Sequence, residues 1–170
     1  VDEYLGVAPG SSLFVTTCTS AIEVAYRYAD IKPGDEVIIP GYTYCASAIP
    51  FGDLGAKIVW ADINPYPWTI DPDDFERKIT PKTKAIVLNS PSNPTGMVYT
   101  EAELKAIADV AVENDIFVIS DEIYEYLVYD GVKHKSIASF NDKIKDLTII
   151  INGVSKTYAM TGWRIGYTAS

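Results

Sequence analysis

The chain has 170 residues, 48% of them apolar and 22% charged, which is enough for one domain with a substantial core. Its formal net charge of −9 excludes the broad basic face that nucleic acid requires, though not a small anion held by local geometry. No apolar run is long enough to cross a bilayer, so no membrane partner is expected.

The opening VDEYLGVAPG lacks a basic region followed by an apolar one and is read as no secretory leader. Without an initiator Met it reads as an excised or processed chain. Short Val- and Ile-rich runs then alternate with helical patterns. The expected strands are 11–16 (SLFVTT), 36–40 (EVIIP), 57–63 (KIVWADI), 84–90 (KAIVLNS), 116–121 (IFVISD), 147–153 (LTIIING) and 163–169 (WRIGYTA). Most are nearly continuous in hydrophobicity, which marks strands covered on both faces, as in a parallel sheet. The expected helices are 19–30, a shorter one over 44–55 broken by Pro50, 71–79 with carboxylates in its first turn, and 100–115. The last has Thr100 and Glu103 spaced as a capping box and a stripe of Leu104, Ile107, Ala108 and Ala111. Strand–helix alternation predicts one α/β domain over 1–170, a three-layer sandwich around a mainly parallel seven-stranded sheet.

In such a sheet ligands sit beyond the carboxyl ends of the strands. The first strand leads through Thr16, Thr17, Cys18, Thr19 and Ser20 into a helix, whose free N–H groups suit a phosphate or are simply capped by Thr19 or a neighbour. The second ends at Tyr42 and Tyr44, either stacking rings or packing aromatics. The fourth ends in NSPSNPTG, where Pro91, Pro94 and Gly96 make a rigid turn that fixes Asn93. The fifth ends at Asp121, a carboxylate in need of a partner such as a protonated ring nitrogen, with Tyr124 one turn on. The sixth leads to Ser155 and Lys156, and Arg164 follows with a fork of donors suited to phosphate. A lysine so placed becomes a nucleophile when desolvated. A phosphorylated pyridine aldehyde uses this whole set.

Cys18 and Cys45 are too few for a disulfide framework or a structural zinc site. They are expected to be buried free thiols, which fits a reducing compartment and a cytoplasmic location, and no metal is expected. The single histidine, His134, lies in the polar stretch YDGVKHKS, reads as a loop residue and is given no chemical role.

The segment Gly153–Gly166, together with NSPSNPTG and VISDEIYEYLVYD in that order, resembles the signature of class I and II aminotransferases, the fold type I enzymes dependent on pyridoxal 5'-phosphate. From about Thr80 onward the chain is similar to aspartate and aromatic aminotransferases. The first half is more similar to sugar aminotransferases of the same fold type. The blend reads as a chimeric or designed domain.

By this resemblance Lys156 forms the Schiff base with the cofactor and shuttles a proton. Asp121 pairs with the pyridinium nitrogen, and Tyr124 and Asn93 bond the phenolic oxygen. Arg164, Thr19 and Ser20 bind the phosphate, with help from Ser155, while Tyr44 stacks on the ring. Gly153 stands where many relatives place a phosphate-binding Ser, and Cys18 where the sugar branch often has Gly. The resemblance implies an amino acid and a 2-oxo acid as substrates and a homodimer as the assembly. It also implies that a small C-terminal domain and an N-terminal arm are absent, so that weak activity is expected. Two other readings stay open: a sugar aminotransferase domain, and a non-catalytic scaffold of the same fold. A nucleotide-binding Rossmann protein is disfavoured by the lack of G-x-G-x-x-G after the first strand.

Overall fold

The computed structural model describes residues 1–170. Its strands are β1 (Ser12–Val15), β2 (Glu36–Pro40), β3 (Lys57–Ala61), β4 (Thr83–Asn89), β5 (Phe117–Asp121), β6 (Thr148–Gly153) and β7 (Gly166–Ala169). They form one sheet in the order β1-β7-β6-β5-β4-β2-β3. β2 through β6 pair in parallel, while β7 lies antiparallel between β6 and β1. Only β7 therefore runs against the rest.

Alternation along each strand sends side chains to opposite faces and builds two cores. Val37, Ile39, Val87, Ile119 and Ile151 join Ala21, Ile22, Ala25 and Tyr26 of α2 (Cys18–Tyr28) and Phe51 of α3 (Ile49–Asp53). On the other face Ile38, Ile86, Leu88 and Val118 meet Phe75 of α4 (Pro72–Arg77), Leu104 and Ile107 of α5 (Glu101–Glu113), and Ile144 of α6 (Asp142–Asp146). Burying each of these Val, Ile, Leu and Phe side chains contributes about 1.5–3 kcal/mol. This is the expected three-layer α/β sandwich. No helix is long and apolar enough to cross a membrane.

α5 begins as read. Thr100 Oγ1 accepts from the Glu103 N–H and the Glu103 carboxylate accepts from the Thr100 N–H, which closes the capping box. The helix expected over 44–55 is instead a single 3₁₀ turn at Cys45–Ser47 followed by α3. The division falls at Ala48, and Pro50 lies in the first turn of α3, where its missing N–H leaves nothing unpaired. Two short helices were not expected: α1 (Asp2–Leu5), and α6, capped by Asn141. The last strand is shorter than 163–169, because Thr161–Trp163 form a 3₁₀ turn and Arg164 takes a left-handed conformation at φ 55°. Coverage on both faces fails at the sheet edges, where Leu13, Phe14 and Trp60 are exposed.

Candidate active site at the carboxyl edge of the sheet

The sheet brings the ends of β1, β2, β4, β5 and β6 to one edge, where they surround a cavity of about 300 Å³. Its lining includes Cys18, Thr19, Tyr44, Asn93, Asp121, Tyr124, Ser155 and Lys156. Eight of the ten residues expected of the site therefore meet. Ser20 and Arg164 do not line it.

The wall from β1 is the start of α2. Thr17 is the cap: its hydroxyl accepts from the Ser20 N–H at 3.0 Å, and its carbonyl accepts from Ala21 N–H at 3.0 Å. The N-cap is thus Thr17 rather than Thr19, and the amides of Cys18 and Thr19, in the first turn, are left without intrahelical acceptors. The Ser20 hydroxyl lies 3.0 Å from Thr17 Oγ1, inside the cap network. The helix comes this close to β7 because residue 166 is Gly. A Cβ there would stand 2.9 Å from the Thr17 carbonyl carbon and 3.2 Å from the Cys18 nitrogen.

Cys18 is partly buried, and burial pushes its thiol up to about 12, with the nearby Asp121 carboxylate adding to the shift and Lys156 opposing it. Cys45, expected to be buried, is exposed, because it opens the 3₁₀ turn on the surface beyond β2. Tyr42 and Tyr44 are both about half-exposed, and only Tyr44 lines the cavity.

The turn after β4 fixes Asn93. Ser92 N–H bonds Met97 C=O at 2.9 Å and Gly96 N–H bonds Ser92 C=O at 2.8 Å, with Gly96 at φ +70° where a side chain would be strained. Asn93 Nδ2 approaches the Tyr124 hydroxyl at 3.4 Å. Asp121 ends β5, facing the cavity. Its carboxylate accepts from Ile123 N–H at 3.2 Å and makes no ion pair. Burial pushes the carboxyl up to about 7, and the adjacent Glu122 acts in the same direction. Lys156 is exposed at the mouth, with Nζ 5.6 Å from the centre of the Tyr124 ring. It is the only cation in the lining.

Arg164 points elsewhere. Its guanidinium is exposed and donates to the Thr161 carbonyl at 2.8 Å. At Gly153 a Cβ would meet the Ile165 carbonyl at 2.8 Å, so a serine here would require the β6–β7 backbone to move.

Thr17, read only as part of the loop before the helix, also lines the cavity, and the sequence reading missed Ser47 and Asn89, which line it too. Asn89 stands four residues before Asn93, inside the very motif that drew attention, and that spacing was its signal. His134 lies in a loop, as read, but its ring is not free in solvent. It is largely covered, and its Nε2 lies 3.0 Å from a carboxylate oxygen of the buried Glu122, which also accepts from Ser120 and Ser136. A second, larger cavity of about 520 Å³ adjoins this pair but contains none of the expected site residues.

The family model for aminotransferase class I and II matches residues 2–170. The chain is 47% identical over 158 residues to an aspartate aminotransferase of Bacillus subtilis, covering 91% of this chain and 40% of that protein. It is 41% identical over 165 residues to aromatic-amino-acid aminotransferase 2 of Thermococcus litoralis, covering 95% and 42%. The fold superposes on a crystal structure of an aromatic aminotransferase from Pyrococcus horikoshii with a TM-score of 0.89 at 38% identity, covering 94% of this chain and 43% of that one. These matches run through both halves of the chain, which spans about two-fifths of the length of the relatives. A lysine, a buried carboxylate, an aromatic and a fixed amide around one cavity, on a sheet with this strand order, agree with those matches: the chain belongs to the class I and II aminotransferases.

Proposed function

We propose that residues 1–170 form the large, cofactor-binding domain of a pyridoxal-phosphate-dependent aminotransferase that moves an amino group from an amino acid to a 2-oxo acid. The observation that carries this reading is Asp121. A carboxyl group in a cavity wall, pushed up to about 7 by burial and lacking any ion pair, is matched by a cationic ring nitrogen. The cavity, about 300 Å³, is at the small end of the ~300–1,000 Å³ range of ligand pockets and suits one flat ring with a phosphate arm.

Asp121 would hold the proton at the ring nitrogen. Asn93 and Tyr124 would donate to the phenolic oxygen, and Tyr44 would cover the ring face. The free amides of Cys18 and Thr19 would take the phosphate, supported by the hydroxyls of Thr19 and Ser155. Ser20 supports that wall through Thr17. Arg164, which donates to the Thr161 carbonyl, would have to give up that bond to join them. When bound, the cofactor supplies an electron sink for the bonds at the substrate α-carbon. Lys156 would anchor its aldehyde, then accept the α-proton of the amino acid and return it. A homodimer and a cytoplasmic location belong to the same reading, supported by the family alone.

The test is a visible absorption spectrum of the chain with pyridoxal 5'-phosphate, beside Lys156→Ala. The expected result is a band that survives dialysis, disappears on borohydride reduction and is absent from the variant. No band, or an equal band in the variant, would overturn the reading and leave a scaffold that has kept the fold alone. Faster turnover of nucleotide-linked keto sugars than of 2-oxo acids would move the substrate class to sugars.

A further inference from the structure

We infer that Asn89 is a positioning residue that sets Asp121 and Asn93 in register for the cofactor. This inference rests on the cofactor site proposed above. Asn89 is the last residue of β4 and is 6% exposed. The sheet register pairs it with Asp121 on β5. Its side chain bridges two segments that reach the same cavity. Nδ2 donates to the Asp121 carbonyl at 3.1 Å, and Oδ1 accepts from Asn93 N–H at 2.7 Å. The Asp121 carbonyl also accepts from Ser90 N–H at 3.1 Å, so the end of β5 is tied to the end of β4 by two donors.

The chemistry explains the residue type. A side-chain amide offers a donor and an acceptor in one rigid plane, uncharged and short enough for this strand end. Aspartate keeps the acceptor for Asn93 and sets a carboxylate oxygen against the Asp121 carbonyl. Alanine leaves Asn93 N–H without its side-chain acceptor and removes one donor from Asp121. The β4 end carries Asn93, which would donate to the phenolic oxygen. The β5 end carries Asp121, which would hold the ring nitrogen. One buried amide thus ties together the two segments whose side chains would hold one ring. Asn89 acts through them and lines the wall behind them.

The experiment is a titration of the 170-residue chain with pyridoxal 5'-phosphate, read by visible absorption across pH, with thermal melting of the cofactor-free protein as the fold control. Asn89→Ala is expected to raise the half-saturating concentration about tenfold or more, the scale of one buried hydrogen bond. It should also raise the pH midpoint of the cofactor band. A donor held at the phenolic oxygen favours its anion, and a loosened Asn93 favours it less. Asn89→Asp keeps Asn93 anchored and should show a smaller rise in midpoint. Ser90→Ala is the structural control. Ser90 Oγ accepts from the buried Tyr99 N–H at 3.3 Å on the same strand end but touches neither Asn93 nor the Asp121 side chain. It should lower the melting temperature and leave affinity and midpoint at wild-type values.

Wild-type affinity and midpoint in both Asn89 variants would overturn the inference while leaving the cofactor site intact. So would shifts in Ser90→Ala as large as those in Asn89→Ala. A wild-type chain with no Lys156-dependent band would instead bring down the site reading, and this inference with it.

Discussion

Lys156 Nζ lies 5.6 Å from the centre of the Tyr124 ring, while the hydroxyl of the same tyrosine meets Asn93 Nδ2 at 3.4 Å. One side chain therefore links the amine to the amide through different parts of its surface. The ring contact is a cation–π interaction, worth about 0.5–1 kcal/mol at an exposed site. The hydroxyl contact is a long hydrogen bond that a cofactor oxygen would share.

Tyr124→Phe separates the two. The ring remains beside Lys156, and only the hydroxyl is lost. We expect a folded protein whose melting temperature stays within a few degrees of wild type. We expect the half-saturating concentration of pyridoxal phosphate to rise about three- to tenfold, the effect of one hydrogen bond of ~0.5–1.5 kcal/mol. Tyr124→Ala removes the ring as well and should cost more. Equal affinities for wild type and Tyr124→Phe, measured by absorption titration, would remove the hydroxyl from the site.

Asp121 gives a pH dependence with a definite sign. Its carboxyl is raised to about 7 in the folded chain, from an ordinary value of 3.8. Between those values the folded state binds more protons than the unfolded state. Stability is therefore fully present below pH ~4 for this group and is lost as pH rises through about 7. Glu125, raised chiefly by burial, acts with the same sign. In the cofactor-free chain the melting temperature should fall between pH 5 and pH 7.5. Asp121→Asn should flatten part of that slope, leaving the Glu125 share. Saturating cofactor should also flatten it, because a ring cation favours the carboxylate. A melting series over pH in these three states is the check, and a slope unchanged in Asp121→Asn would refute the assignment.

The parts of this molecule that rest on local pattern were legible in the sequence. The capping box of α5 could be read because Thr100 and Glu103 are three residues apart. The parallel centre of the sheet could be read because Val37–Ile39 and Ile86–Leu88 are apolar on both faces. Asp121, Asn93 and Lys156 could be placed because strand ends in such sheets share an edge. The rest depended on backbone conformation, burial and contacts that no local pattern carries. The partner of His134 is Glu122, twelve positions away in another loop. Arg164 carries a fork of donors in any sequence reading, but its left-handed backbone and its bond to the Thr161 carbonyl turn it from the cavity. Cys45 looked like a core thiol because thiols are usually buried, and only the surface position of its 3₁₀ turn says otherwise. α6 has five residues and one buried apolar side chain, Ile144, too few for a periodic signal.

The two thiols should differ in reactivity. Cys45 is exposed. Cys18 is partly buried, and its thiol is pushed up to about 12, so almost none of it is thiolate at pH 8. A disulfide-exchange reagent at pH 8 should find one fast thiol in the native chain and two in denaturant. Cys45→Ser should leave no fast thiol. Cofactor in the cavity should slow Cys18 further, since Cys18 is in the lining. Fast labelling of Cys18 in the Cys45→Ser variant would contradict the packing of α2 against β7.

That packing itself is testable at a glycine. Gly166 opens β7, and a Cβ there would stand 2.9 Å from the Thr17 carbonyl carbon, 3.1 Å from the Thr17 oxygen and 3.2 Å from the Cys18 nitrogen. All three are backbone atoms, so no flexible side chain can move aside. Gly166→Ala must push the start of α2 away from the sheet or bend β7. Overpacking of this kind costs about 1–3 kcal/mol. Because the displaced atoms belong to the N-terminus that would take the phosphate, cofactor affinity should fall along with stability. Gly52→Ala is the comparison: it lies in α3, is exposed, and a Cβ there meets nothing within 4 Å. There alanine should be neutral or stabilising by up to about 1 kcal/mol, since glycine is the poorer helix residue. Melting temperature and pyridoxal phosphate affinity, measured on both variants, separate the two effects. A Gly166→Ala chain as stable as wild type, with unchanged affinity, would mean that α2 can move without disturbing the site.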